Sequence, residues 1–139
     1  RAGGKSWIHM NGELWKARGQ KGGGGMEWVK DWSAKDECPG CGRSGQRRPH
    51  IVGFEEIPLM MDEIESALSK CSTFVSIGTS GAVYPAAGFV RQARNSGAHT
   101  LELNLEPSRG GDAFQEGRYG PATEVVSAWV DEILAGAGN

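Results

Sequence analysis

Apolar and polar positions along the 139-residue chain fall into two regimes. From residue 51 onward they follow regular periods. Ile51-Val52-Gly53-Phe54 predicts a short strand. Over residues 61–70, Met61, Ile64, Ala67 and Leu68 recur at helical spacing, with Asp62 and Glu63 in the first turn, where carboxylates favour the helix dipole. Thr73-Phe74-Val75-Ser76-Ile77 predicts a strand that runs into Gly78-Thr79-Ser80-Gly81 and then a helix. Pro85 suits the first turn of that helix, which continues to Asn95, and Gly97 suits its stop. Leu101, Leu103 and Leu105 alternate with Glu102 and Asn104, which predicts a strand over 99–105. Pro121 opens a last helix whose Val125, Val126, Trp129, Val130, Ile133 and Leu134 form an apolar stripe. Alternating strands and helices at this spacing imply parallel strands with right-handed crossovers, so the second half reads as α/β.

Residues 13–50 read poorly as helix or strand. The run Gly22-Gly23-Gly24-Gly25 disfavours regular structure, because each glycine gives up the most backbone freedom on ordering. Lys35-Asp36-Glu37-Cys38-Pro39-Gly40-Cys41-Gly42 reads as a turn-rich knuckle, and Arg43, Arg47 and Arg48 as a solvated loop. Composition sharpens this division: 12 of the 22 glycines lie in residues 1–53, as do Trp7, Trp15, Trp28 and Trp32 of the five tryptophans. Charge narrows the function. A net charge of -2, from 15 basic and 17 acidic residues, argues against a nucleic-acid binder or a polybasic membrane-surface module. No apolar run reaches the length of a membrane span. Three cysteines do not make a disulfide framework, and they fit a reducing compartment, so a cytoplasmic location is expected. Arg1-Ala2-Gly3-Gly4 reads as an interior loop, which suggests the C-terminal part of a longer protein.

Ligands of open parallel sheets bind beyond the carboxyl ends of the strands, and two such ends carry useful chemistry. Gly78-Thr79-Ser80-Gly81 offers backbone N–H groups and hydroxyls to a phosphate or a ribose, or simply leaves the strand. Asn104-Leu105-Glu106-Pro107 offers a carboxamide and a carboxylate to ribose hydroxyls, or is an Asn-capped turn beside a solvated Glu.

Together the two segments resemble one family. Residues 78–89, Gly-Thr-Ser-Gly-Ala-Val-Tyr-Pro-Ala-Ala-Gly-Phe, and residues 102–108, Glu-Leu-Asn-Leu-Glu-Pro-Ser, are similar to bacterial sirtuins, the NAD-dependent protein-lysine deacylases. So are Ile8-His9-Met10-Asn11-Gly12-Glu13-Leu14, Arg48-Pro49-His50-Ile51-Val52-Gly53-Phe54 and Tyr119-Gly120-Pro121-Ala122. The resemblance covers the whole chain in order and spacing. It implies a partial Rossmann-like parallel sheet with an inserted, Gly-rich remnant of a zinc-ribbon small domain. Residues 1–12 would end the Rossmann N-terminal half and carry the catalytic-loop segment. Residues 13–50 would be the degenerate zinc-ribbon-like module, and 51–139 the C-terminal half of the NAD-binding domain. By the same resemblance, NAD and an acyl-lysine protein or peptide would meet in the cleft between the domains. Gly78, Thr79 and Ser80 would face the nicotinamide-ribose and phosphate side of NAD. Asn104, Leu105 and Glu106 would line the adenosine ribose, with Ala122 near adenine. Val52 would meet the acyl-lysine, and a strand around Phe54, Glu55 and Glu56 would pair with the substrate backbone.

The departures from the family pattern bear on chemistry. The family's His-x-His-Gly carries its general base at the second His, and that position is Asn11 here. A carboxamide does not titrate near neutral pH and cannot take the ribose hydroxyl's proton. His9, two residues away, would point to the other face of a strand and reads as structural rather than as a substitute base. Structural zinc takes four Cys or His ligands, usually as two Cys-x-x-Cys knuckles. Cys38 and Cys41 form one knuckle, whereas Gly19 and Gly22 stand at the two ligand positions of the other, leaving an incomplete site. Cys71 reads as a core cysteine, and His50 would become a ligand only by rearrangement. The substrate segment has Gly53 in place of an aromatic and Glu55 in place of a glycine, the latter disfavoured if that glycine requires positive φ. The family's N-terminal Gly-Ala-Gly phosphate loop and the Gln-Asn and Asp residues of its nicotinamide pocket have no counterpart in the sequence.

Two readings follow. One is a sirtuin-family NAD-dependent deacylase, catalytically impaired in this chain. The other is a non-catalytic sirtuin-like nucleotide-binding or interaction fragment. An exposed sheet edge and face would favour self-association in either case.

Overall fold

The computed structural model describes residues 6–20, 25–28, 31, 33, 35–38 and 41–136. Gly22, Pro39 and Gly40 lie outside the described residues, so the second knuckle's expected Gly22 position does too. The chain divides into two compact units, residues 1–62 and 63–139, and each is described by itself.

The first unit is built on an antiparallel sheet of β1 (Gly12–Gly19), β2 (Met26–Glu27) and β3 (Arg47–Ile51), in the order β2-β1-β3. An eight-residue strand thus lies within the stretch whose sequence reads as irregular. Its register explains the misreading. Glu13 pairs with His50, but the next partner pair is Ala17 with Pro49, so a bulge interrupts the two-residue alternation. Leu14 and Trp15 sit exposed on the bulge while the small Ala17 is the buried position. The strand expected at residues 51–54 ends instead at Ile51, and it belongs to this antiparallel sheet rather than to the parallel one. Pro49 is tolerated because β3 is an edge strand. Gly12, at φ 81, is fixed by close approach: a Cβ there would overlap the carbonyl oxygen of His50. Glu37 bridges Ser44 around the Cys38–Cys41 turn, where Cys41 and Gly42 both donate backbone N–H bonds to the carbonyl of Cys38.

Helix α1 (Met61–Leu68) buries Ile64 and Leu68 as its periodicity predicts, whereas Ala67 is exposed. The second unit's sheet is parallel, with β4 (Thr73–Ile77), β5 (His99–Asn104) and β6 (Glu116–Tyr119) in that order. The α/β reading therefore holds, with a different set of three strands. Glu116-Gly117-Arg118-Tyr119 carries no apolar alternation, because it is a half-exposed edge strand. Central β5 departs from its pattern in the opposite sense. Thr100, Leu101, Glu102 and Leu103 are all buried, so Glu102 lies inside rather than on a solvated face, and Leu105 falls beyond the strand, exposed.

Helix α2 (Phe89–Asn95) follows a short 3-10 turn over Ala86–Gly88 and buries Phe89, Val90 and Ala93. It ends in a Schellman motif: Gly97, at φ 90, donates to Arg94, and Ala98 donates to Ala93. Helix α3 (Ala122–Gly136) opens after Pro121, as expected. Its stripe is only partly covered. Val125, Val126 and Trp129 are half-buried, while Val130, Ile133 and Leu134 are exposed.

Candidate functional site

The carboxyl ends of β4, β5 and β6 come together in the second unit. The Gly78 N–H donates to the Leu103 carbonyl (3.0 Å), extending the β4–β5 pairing into the loop. The Asn104 carboxamide donates from Nδ2 to the Thr79 carbonyl (2.7 Å) and accepts the Leu105 N–H at Oδ1 (3.0 Å). Gly120 donates to the Asn104 carbonyl (3.0 Å), and Arg109 donates to the Ser80 carbonyl (3.2 Å). Gly78, Thr79, Ser80 and Asn104 are thus brought together, and Ala122 lies two residues beyond Gly120. Thr79, Ser80, Leu105, Glu106 and Ala122 are exposed. Gly78 and Gly81 hold the loop at φ 62 and φ 61, and the Thr79 hydroxyl accepts the Gly81 N–H (3.4 Å). The loop does not lead directly into a helix: the first α-helical residue after it is Phe89. Any anion here would meet loop N–H groups and hydroxyls rather than a helix dipole.

The first unit holds the remaining candidates. Asn11 is exposed, and its side chain makes no hydrogen bond among the described residues. Its backbone is held firmly: the Val52 N–H donates to its carbonyl (3.0 Å), and Gly12 donates to His9 (2.8 Å). Asn11 and Val52 are therefore adjacent. His9 is exposed, with Nε2 3.6 Å from Glu13, so it is a surface residue rather than a packed structural one.

Phe54 and Glu55 lie on a turn, and the expected strand around Phe54–Glu56 is absent. The turn closes through Glu56, whose backbone N–H donates to the Gly53 carbonyl (3.3 Å) and whose carboxylate accepts the Gly53 N–H (2.8 Å). Two arginines grip the same carboxylate. Arg18 donates at 2.7 Å and also reaches the Ile51 carbonyl, while Arg48 spans both oxygens. The Arg48 hydrogen bonds, followed by that from Gly53, hold the Glu56 carboxyl below the ordinary glutamate value. Glu56 is thereby held at the surface by Arg18, Arg48 and Gly53, Phe54 is fully exposed, and Glu55 adopts φ 67.

The basic cluster read as solvated is partly buried. The Arg47 guanidinium lies 3.8 Å over the Trp28 ring and 2.8 Å from Asp36, with its side chain 2% exposed. Cys38 is buried and Cys41 exposed. Gly19 pairs with Arg47 at the end of β1 and has no donor to offer. Among the described residues, no three His, Cys, Asp or Glu side chains gather where they could hold a metal. Cys71 is only half-buried, with its thiol 3.4 Å from the Leu68 carbonyl.

Sequence reasoning passed over Glu102, Arg18 and Tyr119. The only signal for Glu102 is a carboxylate in the middle of an otherwise apolar central strand.

Comparison with known proteins bears on these loops. The Sir2 family model matches residues 1–85. The NAD-dependent protein deacylase SIR2rp3 of Leishmania major is 56% identical over 135 residues, spanning 96% of this chain and 56% of that protein. An NAD-dependent protein deacylase of Salmonella typhimurium is 53% identical over 136 residues, spanning 98% and 50%. The chain thus spans about half the length of these relatives. The crystal structure of a Sir2 homologue–NAD complex shares the fold, with a TM-score of 0.85 at 24% identity over 98% of this chain and 54% of that one. By its sequence the chain belongs to the Sir2 family.

Proposed function

We propose that this chain carries the acyl-lysine contact and the ribose-facing part of the NAD site of a sirtuin-type protein-lysine deacylase, and that its own turnover is impaired. The observation that carries the nucleotide reading is the convergence of residues 78–81 and Asn104 through the 2.7 Å bond from Asn104 to Thr79. Gly78, Thr79 and Ser80 would hold the nicotinamide-ribose and phosphate side. Asn104, Leu105 and Glu106 would hold the adenosine ribose, and Ala122 the adenine edge. Exposed hydroxyls beside glycines at positive φ suit such a group, because backbone can approach it closely. NAD, when bound, supplies the ADP-ribosyl group that receives the acyl group. Val52, one hydrogen bond from Asn11, suits the acyl-lysine contact. Phe54, Glu55 and Glu56 would meet the peptide from a turn rather than along a strand.

The impairment rests on Asn11. Its carboxamide can orient a hydroxyl but cannot accept the proton, which removes a contribution of roughly 10²–10⁴-fold. The donors present do not fit a closed zinc site, and no role is assigned to zinc. The antiparallel sheet spanning residues 12–51 suits 13–50 as the small module, while the assignment of 1–12 and 51–139 to the larger domain rests on the resemblance alone. No helix among the described residues is long and apolar enough to cross a membrane. An odd count of three cysteines makes no disulfide framework, which fits the cytoplasm.

Titration calorimetry with ADP-ribose tests the nucleotide site. Saturable binding is expected, weakened about tenfold by Glu106→Ala, and no binding at millimolar ligand would refute it. An assay with NAD and an acetyl-lysine peptide tests the impairment. Turnover is expected to be undetectable, and clear turnover with Asn11 in place would overturn that part. With the N-terminal half of a family member joined ahead of residue 1, a gain of activity in Asn11→His favours the deacylase reading. Binding of ADP-ribose with no gain favours the second reading, a non-catalytic nucleotide-binding member of the family.

A further inference from the structure

Glu102 is the most deeply buried charged side chain described, at 1% exposure in the middle of β5. One carboxylate oxygen, Oε2, accepts the Tyr119 hydroxyl (3.1 Å) and the backbone N–H of Ser108 (3.4 Å). The other, Oε1, is buried without a hydrogen-bond partner among the described residues. The surroundings are shaped to this arrangement. A Cβ on Gly117 would overlap the Tyr119 hydroxyl, so only glycine lets the phenol lie back over β6 toward Glu102. A Cβ on Gly111 would come within 3.3 Å of Oε2. Ser108, which Glu102 holds by its backbone, packs its buried hydroxyl so closely on Gly81 that a Cβ there would sit 2.9 Å away. The next residue, Arg109, donates to the Ser80 carbonyl (3.2 Å).

A leucine at position 102 would continue the core of Leu101 and Leu103 without the penalty of burying a half-satisfied carboxylate. The carboxylate instead reaches one donor in the loop after β5, the Ser108 N–H, and one at the end of β6, the Tyr119 hydroxyl. We propose that Glu102 is a positioning residue: through Ser108 and Tyr119 it locks the 105–111 loop against the 78–81 loop and so sets the spacing between their ligand-facing groups. As a statement about ligand binding this rests on the nucleotide reading above; the lock between the loops is testable without it.

Three variants separate the roles. Glu102→Ala removes the acceptor, Glu102→Gln keeps one oxygen for the two donors, and Tyr119→Phe removes one donor while leaving the core packing in place. Amide hydrogen exchange is expected to rise about tenfold at Gly81, Ser108 and Arg109 in Glu102→Ala, with β4 amides unchanged. ADP-ribose affinity is expected to fall by a similar factor, and Glu102→Gln to lie within about threefold of the parent on both readouts. A spectroscopic signature accompanies this. Burial, then the hydrogen bond to Glu102, raises the Tyr119 phenol above its ordinary value near 10.0. In a Tyr84→Phe background, its ultraviolet titration should move down in Glu102→Gln. Loop amides that exchange at the parent rate in Glu102→Ala, or a loss of protection spread evenly over the sheet, would overturn the proposal. Should Glu102→Ala fail to fold, Tyr119→Phe must still speed loop exchange relative to β4, and parental exchange there is equally fatal. Loss of loop protection in a protein whose parent binds no ADP-ribose would support the lock and refute the nucleotide reading.

Discussion

Glu55 holds a left-handed backbone conformation at φ 67 with a side chain longer than that position favours. The sequence raises this possibility, because the resemblance places glycine there, but only the backbone settles it. Glu55→Gly should stabilise the chain by roughly 1 kcal/mol, less the extra freedom glycine gives the unfolded state, as read from a denaturant midpoint. Its neighbour behaves differently. Arg18 and Arg48 converge on Glu56 from positions 38 and 8 residues away, and no local pattern announces that meeting. Because the folded Glu56 carboxyl titrates below the unfolded value near 4.5, the clamp contributes stability above about that pH and loses it as the pH falls through the folded value. The difference in stability between the parent and Glu56→Gln should therefore shrink on acidification below about pH 4.5, and shrink also in high salt, since the group is exposed.

Elements with a clean period were legible: α1, β4 and β5 begin at or beside their expected first residues, and α3 follows its proline. Those without one were not. The β1 strand is hidden by a bulge that exposes Leu14 and Trp15, and β6 by its edge position and by Gly117, which makes room for Tyr119. The candidate loops were readable as motifs, whereas the side chains that fix them act across the sheet. The small antiparallel sheet has a comparable long-range tie in Arg47, seated between Trp28 and Asp36. Arg47→Ala should lower stability by roughly 2 kcal/mol. That is less than for a fully buried pair, because Asp36 is part-exposed and can regain water. Arg47→Lys should restore little of it, since an ammonium lacks the planar face that stacks on Trp28. Equilibrium denaturation of both variants checks this; full rescue by lysine would show that charge alone matters.

Exposed large apolar side chains occur throughout the described residues, from Trp7 to Leu134. Val130, Ile133 and Leu134 form an exposed stripe on α3, a helix with no fully buried residue. Apolar side chains left open on a helix favour association between copies, as an exposed sheet surface would. Sedimentation velocity should show a mean mass that rises with concentration and falls in Ile133→Lys; a parent protein that stays monomeric throughout would rule it out.

The backbone at Asn11 is set by its neighbours. Gly12 admits no side chain, and the bonds from Gly12 to His9 and from Val52 to Asn11 use main-chain atoms only. The residue at position 11 is consequently free to change without a matching change elsewhere. Asparagine and histidine codons differ at a single base, so one transversion exchanges a titrating ring for a neutral amide on an unaltered scaffold. Adding or removing a titrating ring at this position is thus a short genetic step that leaves the main-chain bonds around it in place.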